Sequence, residues 1–194
     1  MAGRLQGKRA IVTGAAQGIG LAIAQCFAAE SAEVVLADIN VDRGSEAAAA
    51  LARSGAKTVF VPVDVSNPDS VREMTATAVE RMGPPNIVVN NAGIAVFRDP
   101  LEMSPVDWQQ CFSVDLDGVW HCTREALPHM LKQGSGDIIN IASVHSFQII
   151  PHCFPYPVAK HAVVGLTRAL AIEYADRNIR VNAIAPGYIG TEIV

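Results

Sequence analysis

Short runs of apolar residues alternate along the chain with longer stretches whose apolar positions recur every three or four residues. Several short runs are nearly continuous and rich in Val and Ile, which is typical of strands buried on both faces of a parallel sheet. They predict six strands, at residues 8–13, 33–38, 58–63, 86–90, 137–143 and 179–185. The longer stretches predict five helices, at residues 18–31, 41–54, 68–82, 104–132 and 156–176.

This alternation predicts the fold class. Strands that alternate with helices form parallel sheets with right-handed crossovers and helices on both faces. We therefore predict a doubly wound α/β fold of the Rossmann type, with strand order 3-2-1-4-5-6. A chain of 194 residues, half of them apolar, suits a single domain over residues 1–194.

Charge and the spacing of polar residues argue against several functions. The net charge is −4 and no basic block stands out, so we expect no nucleic-acid partner. The apolar runs are too short to span a membrane. The first predicted strand begins too close to Met1 for a signal peptide, so we expect a soluble cytoplasmic protein. The four cysteines and five histidines show no metal-ligand spacing, so we expect no metal.

A glycine-rich turn joins the first predicted strand to the first predicted helix. Gly14, Gly18 and Gly20 have no side chains, so a pyrophosphate could approach the backbone there and rest on the helix N-terminus. Gln17 and Ile19 lie within the same turn. The spacing is GxxxGxG rather than GxGxxG, and such a turn alone also suits mere tight packing. Its position in the first strand–helix unit favours a dinucleotide site.

Asp38 ends the second predicted strand, where a dinucleotide would lay its adenosine ribose. A carboxylate there can accept both ribose hydroxyls and would repel a 2′-phosphate. No basic residue stands at positions 15–17 to offset that repulsion. The alternative is a solvated Asp at the end of a strand. We predict NAD rather than NADP as the cofactor.

A second group of residues could catalyse proton transfer: Ser143, Tyr156 and Lys160. A free tyrosine has a pKa of about 10, and a nearby cation favours its phenolate. Residues four apart share a helix face, so Lys160 can supply that cation if a helix starts near Tyr156. Pro157 is tolerated only in a first helical turn, which supports that start. Ser143 can donate a hydrogen bond to a substrate oxygen. An isolated Tyr–x–x–x–Lys pattern is more often an ordinary surface feature.

The whole pattern, from Lys8 to the last residue, resembles the short-chain dehydrogenase/reductase family. Besides the turn and the trio, the matching segments are Asp64-Val65, Asn90-Asn91-Ala92-Gly93, and the Pro186-Gly187, Ile189 and Thr191 positions. The resemblance implies that the cofactor contacts Gly14, Gln17, Gly18, Ile19, Gly20, Asp38, Asp64, Val65, Asn91, Ala92, Gly93, Tyr156, Lys160, Pro186, Gly187, Ile189 and Thr191.

The resemblance also implies a reaction. Tyr156 would be the acid/base, Lys160 would favour its phenolate and hold the nicotinamide ribose, and Ser143 would orient the substrate oxygen. A hydride would pass between NAD(H) and a secondary alcohol or ketone. The alternatives are an NADPH-dependent ketone or oxoacyl-thioester reductase, and a non-catalytic nucleotide-binding chain.

Substrate and partners are less sharply indicated. The loop over residues 144–155 mixes polar side chains such as His145 and His152 with apolar ones such as Phe147 and Ile149. This mixture suits a small hydroxylated substrate such as a sugar or sugar acid; a steroid, an acyl thioester or a simple alcohol is the alternative. The helices predicted over residues 104–132 and 156–176 are apolar on more than one face, so one face can pack on the sheet and another on a second subunit. The resemblance implies the same two-fold interface, so we predict a homodimer or homotetramer.

The chain departs from the family pattern in two ways. Asp115 stands where many members have Asn; it could pair with Lys160 in the site, or merely cap or solvate its helix. Members also usually run to about 250 residues. The sequence stops at Val194, inside the loop that would cover the substrate, so we expect the domain to lack its seventh strand, as a piece of a longer chain or a natural truncation.

Overall fold

The computed structural model describes residues 3–191. Its strands are β1 (Arg9–Thr13), β2 (Glu33–Asp38), β3 (Thr58–Pro62), β4 (Ile87–Asn90), β5 (Gly136–Ile141) and β6 (Ile179–Ile184). All pair in parallel, in the order β3-β2-β1-β4-β5-β6. The predicted fold class and strand order are confirmed, and each strand ends within two residues of its predicted bounds.

Six α-helices connect and cover the strands. They are α1 (Gly18–Ala29), α2 (Val41–Arg53), α3 (Pro68–Met82), α4 (Pro105–Phe112), α5 (Gly118–Gln133) and α6 (Tyr156–Tyr174). Proline occupies the first position of α3 and of α4, where its missing N–H costs no hydrogen bond. The side chains of Asn67 and Ser104 cap those two helices by accepting backbone N–H groups of the first turn.

The long helix predicted over residues 104–132 is correct in extent but not uniform. A π-helical turn, Ser113–Asp117, joins α4 to α5. Such turns insert an extra residue into a helix and are frequent at functional sites. This one carries Asp115, whose side chain is fully buried.

Two apolar layers cover the two faces of the sheet. On one face, strand residues such as Ile11 and Val35 pack with Met74 of α3 and Met130 of α5. On the other face, the alternate strand residues, such as Val12 and Leu36, pack with Ala24 of α1 and Ala48 of α2. Alternate residues of one strand therefore face opposite layers, as in a doubly wound sheet.

Buried polar side chains tie the ends of β4 and β5 to the helices beside them. The Asn90 amide donates to Asn140 Oδ1 at 2.8 Å and to Thr123 Oγ1 of α5 at 3.0 Å. The Asn140 amide donates to Thr167 Oγ1 of α6 at 2.9 Å. Because buried polar groups are costly unless paired, this network holds both strand ends in one register against α5 and α6. The candidate site residues follow directly after these strand ends.

Over residues 3–191, none of the helices is long and apolar enough to cross a membrane. Within that same range, no three His, Cys, Asp or Glu side chains are grouped closely enough to hold a metal ion. The four cysteines are all free thiols.

Candidate active site

A cleft of about 470 Å³ opens at the carboxyl ends of the strands. This is the edge at which open α/β sheets bind ligands. The predicted residues that line the cleft are Gly14, Gln17, Ile19, Asp38, Asp64, Val65, Asn91, Ala92, Gly93, Asp115, Ser143, Tyr156, Lys160, Pro186, Gly187, Ile189 and Thr191. The cleft therefore collects residues from both the glycine-rich turn and the Ser–Tyr–Lys trio.

Gly18 and Gly20 do not line the cleft. Gly18 has a φ of +54°, in the left-handed region that favours glycine. A Cβ on Gly20 would lie 2.1 Å from the carbonyl oxygen of Gly14, and one on Gly14 would lie 2.8 Å from Asn91 Nδ2. Both positions therefore require glycine for close backbone packing. Gln17, at the N-cap of α1, makes no capping hydrogen bond with its side chain. The first turn of α1 thus presents backbone N–H groups to the cleft, as anion-binding helix termini do.

Thr13 and Asn91 lock this turn to the segment that follows β4. Thr13 Oγ1 accepts the backbone N–H groups of Asn91 at 3.0 Å and Ala92 at 3.1 Å. The Asn91 amide in turn donates to the carbonyl oxygens of Thr13 and Gly14. These reciprocal bonds join the glycine-rich turn to the segment after β4.

The carboxylate of Asp38 lies at one end of the cleft. Its Oδ2 accepts the N–H of Ala16 and its Oδ1 accepts the N–H of Asn40, both at 2.9 Å. Each oxygen retains acceptor capacity for a ribose hydroxyl, since an ionised carboxylate offers about four lone-pair sites. Asp38 is therefore oriented by hydrogen bonds from two backbone N–H groups, one of them in the glycine-rich turn.

The structure brings one basic residue to this end that the sequence interpretation missed. The Arg43 guanidinium, in the first turn of α2, donates to Oε1 of Gln17, which lines the cleft. Positions 15–17 carry no positive charge, and Arg43 reaches the turn from a different element. Other lining residues that were missed, such as Ile39 and Val114, are direct neighbours of predicted ones.

Ser143, Tyr156 and Lys160 meet at the other end of the cleft. Ser143 follows β5 and is buried, and its hydroxyl accepts the N–H of His145 at 3.1 Å. Tyr156 is the first residue of α6, as predicted, and Phe97 packs edge-on against its ring at 5.9 Å. Lys160 lies one turn later, with Nζ 5.5 Å from the centre of the Tyr156 ring. The lysine cation and the tyrosine ring therefore share one face of α6.

Asp115 contacts Lys160 directly. Its Oδ1 lies 3.3 Å from Lys160 Nζ, which also donates to the carbonyl oxygen of Ile141 at 3.1 Å. Burial raises the pKa of Asp115, and the Lys160 charge opposes that rise. Burial, followed by the Asp115 charge, also raises the pKa of the neighbouring Cys111 to about 12. Cys111 is therefore a protonated thiol, which lies 3.7 Å from Asp115 Oδ2 and can donate to it.

Comparison with known proteins agrees with this geometry. A family model described as short chain dehydrogenase matches residues 8–194. An uncharacterized oxidoreductase of Thermotoga maritima is 41% identical over 191 residues, which cover 96% of this chain and 73% of that protein. The chain therefore belongs to the short-chain dehydrogenase/reductase family, whose members are oxidoreductases that bind a nicotinamide dinucleotide.

Two solved structures of the family are very similar to this one. A short-chain dehydrogenase/reductase from Burkholderia phymatum, in complex with NAD, has a TM-score of 0.94 and 33% identity, over 97% of this chain and 68% of that one. A gluconate 5-dehydrogenase from Burkholderia cenocepacia, in complex with NADP and tartrate, also has a TM-score of 0.94, with 36% identity over 98% of this chain and 74% of that one.

The residues of the cleft fit such a cofactor. Glycine at position 20 avoids a clash with the backbone of the turn, and glycine at position 14 avoids one with the segment after β4. The first turn of α1 offers N–H donors suited to a pyrophosphate. Asp38 offers acceptors suited to ribose hydroxyls at one end of the same cleft that holds Tyr156 and Lys160. The donors and acceptors are therefore distributed as an extended dinucleotide requires.

Proposed function

We propose that the protein is an NAD-dependent oxidoreductase that interconverts a secondary alcohol and a ketone. The observation that carries the proposal is a single cleft with Asp38 at one end and Ser143, Tyr156 and Lys160 at the other. The first end suits an adenosine ribose and the second suits proton transfer at a carbonyl or hydroxyl oxygen. Membership of an oxidoreductase family supports the same reaction class.

The chain's own residues can perform the proton chemistry. In the oxidation direction, the Tyr156 phenolate accepts the hydroxyl proton of the substrate, and in reduction the phenol returns it. Lys160 is fixed by Ile141 and Asp115, and its charge favours the phenolate. The Ser143 hydroxyl donates a hydrogen bond to the substrate oxygen. A bound nicotinamide supplies the hydride acceptor or donor.

The preference for NAD is tested by replacing Asp38 with Ala. We expect the Kd for NAD to rise about tenfold or more, because a hydrogen bond to a charged group contributes about 1.5–3 kcal/mol. We expect the Kd for NADP to fall, since the 2′-phosphate no longer meets a carboxylate. Isothermal titration of both cofactors measures this, with Asp42→Ala, an exposed carboxylate in the first turn of α2, as the control.

The competing proposal is an NADP(H)-dependent reductase. It is favoured by the Arg43 guanidinium at the adenosine end and by the NADP bound to the gluconate 5-dehydrogenase. Tighter binding of NADP than of NAD by the wild-type protein would favour the NADP(H)-dependent reductase. In that case Arg43→Ala should weaken NADP binding and leave NAD binding nearly unchanged.

For the substrate, we propose a small hydroxylated compound such as a sugar acid. The support is the mixed polar and apolar loop over residues 144–155 and the similarity to a gluconate 5-dehydrogenase. Turnover should be measured on a panel of polyols, sugars, sugar acids, simple alcohols, steroids and oxoacyl thioesters, with each cofactor. Tight NAD binding without turnover of any of these would favour a non-catalytic nucleotide-binding protein instead.

We further propose that the protein forms a homodimer or homotetramer in the cytoplasm. Large apolar side chains are exposed on the helices away from the sheet, including Val106 of α4, Trp120 of α5 and Ile172 of α6. Sedimentation velocity at micromolar concentration should show an oligomer, and a Trp120→Glu variant should shift it toward monomer. A wild-type monomer at that concentration would contradict the proposal.

The proposed cytoplasmic location is supported by the four free thiols, which suit a reducing compartment.

A further inference from the structure

A buried ion pair lies within the candidate active site. The side chain of Asp115 has no exposed surface and that of Lys160 is 4% exposed. The carboxylate has three partners, each from a different element. Lys160 Nζ of α6 lies 3.3 Å from Oδ1, the N–H of Ile94 donates to Oδ1 at 3.2 Å, and the Cys111 thiol of α4 faces Oδ2 at 3.7 Å.

The surroundings are shaped to hold this pair. A Cβ on Gly93 would lie 2.7 Å from Asp115 Oδ1 and 3.4 Å from Lys160 Nζ, so a larger residue there would force the carboxylate to shift. The π-helical turn, which inserts one residue between α4 and α5, carries the carboxylate to this point. A carboxylate buried without partners is costly, whereas here three donors surround it.

We propose that Asp115 is a positioning residue whose ionised carboxylate anchors Lys160 and offsets its charge, so that Tyr156 ionises at higher pH than it would beside a neutral residue 115. The consequence for turnover rests on the proposed function, whereas the ionisation itself does not. Asp115 touches neither the substrate oxygen nor the Tyr156 hydroxyl in this scheme, and it acts through Lys160.

The direction of the effect follows from electrostatics. Lys160 lies 5.5 Å from the centre of the Tyr156 ring, and its positive charge favours the phenolate. A negative charge 3.3 Å from the same ammonium reduces the net positive potential at the ring. Removing that negative charge while keeping the side-chain shape should therefore make the phenolate form more readily.

Few other titratable groups face this pair. Around the carboxylate they are Lys160 and the Cys111 thiol, and around Tyr156 they are Lys160 and His145, whose ring centre lies 6.3 Å from that of Tyr156. Cys111 is protonated over the working range, because burial and the Asp115 charge raise its pKa to about 12. His145 is the other titratable ring beside Tyr156, and a His145→Gln background removes it from the measurement.

The test is an ultraviolet titration of tyrosine ionisation in the full chain without added cofactor. The chain has three tyrosines, so the Tyr156 signal is obtained by subtracting the curve of a Tyr156→Phe variant made in the same background. We expect Asp115→Asn to move the Tyr156 midpoint about one pH unit lower, in both the wild-type and His145→Gln backgrounds. Asp117→Asn, the same change in the same π-helical turn but outside the cleft, should leave the midpoint in place.

An unchanged or raised midpoint in Asp115→Asn would overturn the proposal. If Asp115→Asn fails to fold, the double variant Asp115→Asn, Lys160→Met should fold, because removing both charges leaves no unpaired buried ion. A double variant with a lower free energy of unfolding than Asp115→Asn would show that the two charges are not coupled, and would also overturn the proposal.

The outcomes separate this inference from the proposed function. A shifted midpoint in a protein that turns over no alcohol or ketone supports the role of Asp115 and contradicts the proposed reaction. An unmoved midpoint in an enzyme whose turnover depends on Tyr156 supports the proposed reaction and contradicts the role of Asp115. If the proposed reaction and the role of Asp115 are both correct, the acid limb of the pH profile of kcat/KM for alcohol oxidation should shift to lower pH in Asp115→Asn. It should stay in place in Asp117→Asn.

Discussion

Replacing Tyr156 with Phe is expected to lower kcat about 10²–10⁴-fold, the range that general acid–base catalysis typically contributes. The change removes the ionisable oxygen and keeps the ring, so the edge-on contact with Phe97 and the first turn of α6 should persist. The Kd for NAD should change little, because the glycine-rich turn and Asp38 are untouched. Steady-state kinetics on the best substrate of the panel, with cofactor titration, measures both quantities.

The matched control for this variant is Tyr174→Phe. Tyr174 ends α6, and its ring packs against the Arg177 guanidinium at 5.7 Å, away from the cleft. The control should retain wild-type turnover. A Tyr156→Phe enzyme that keeps most of its kcat would remove Tyr156 from the mechanism and leave the proton transfer to another group.

Replacing Gly20 with Ala is expected to lower the free energy of unfolding by about 1–3 kcal/mol or more, because the added methyl group overlaps fixed backbone. Its Cβ would lie 2.1 Å from the Gly14 carbonyl oxygen and 2.5 Å from Asn91 Nδ2. Neither neighbour can move freely, since Asn91 is bonded to the carbonyl oxygens of Thr13 and Gly14. We also expect the Kd for NAD to rise at least tenfold, because the turn that faces the pyrophosphate must open.

A second glycine provides the opposite result under the same chemical change. Gly165 lies inside α6, and a Cβ there would have no atom within 4 Å apart from its own stretch of helix. Gly165→Ala should therefore raise the free energy of unfolding by about 0.5–1 kcal/mol, since alanine restricts the unfolded chain and favours the helix. Urea denaturation of both variants, followed by circular dichroism, measures the difference. Equal effects of the two substitutions would contradict the packing described for the turn.

Local patterns were sufficient for the elements and for most of the cleft. Apolar runs set the strands because a parallel strand is buried on both faces, and Pro157 marked Tyr156 as the start of a helix because proline is tolerated only in a first turn. The glycine-rich turn could be assigned to the first strand–helix unit from its position alone. Because the carboxyl ends of parallel strands share one edge, residues at the ends of different strands then had to converge.

The sequence by itself thus determined the alternating elements, the glycine turn, and the face that Tyr156 shares with Lys160, since each depends on neighbours within a few residues. Only the tertiary structure decided between the two interpretations of Asp115, because its partners come from α4, α6 and the segment after β4. The same holds for Arg43, which reaches Gln17 from another helix. The spacing along the chain does not encode the inserted π-helical residue or the close approach at Gly93, and these two features bring the buried charges together.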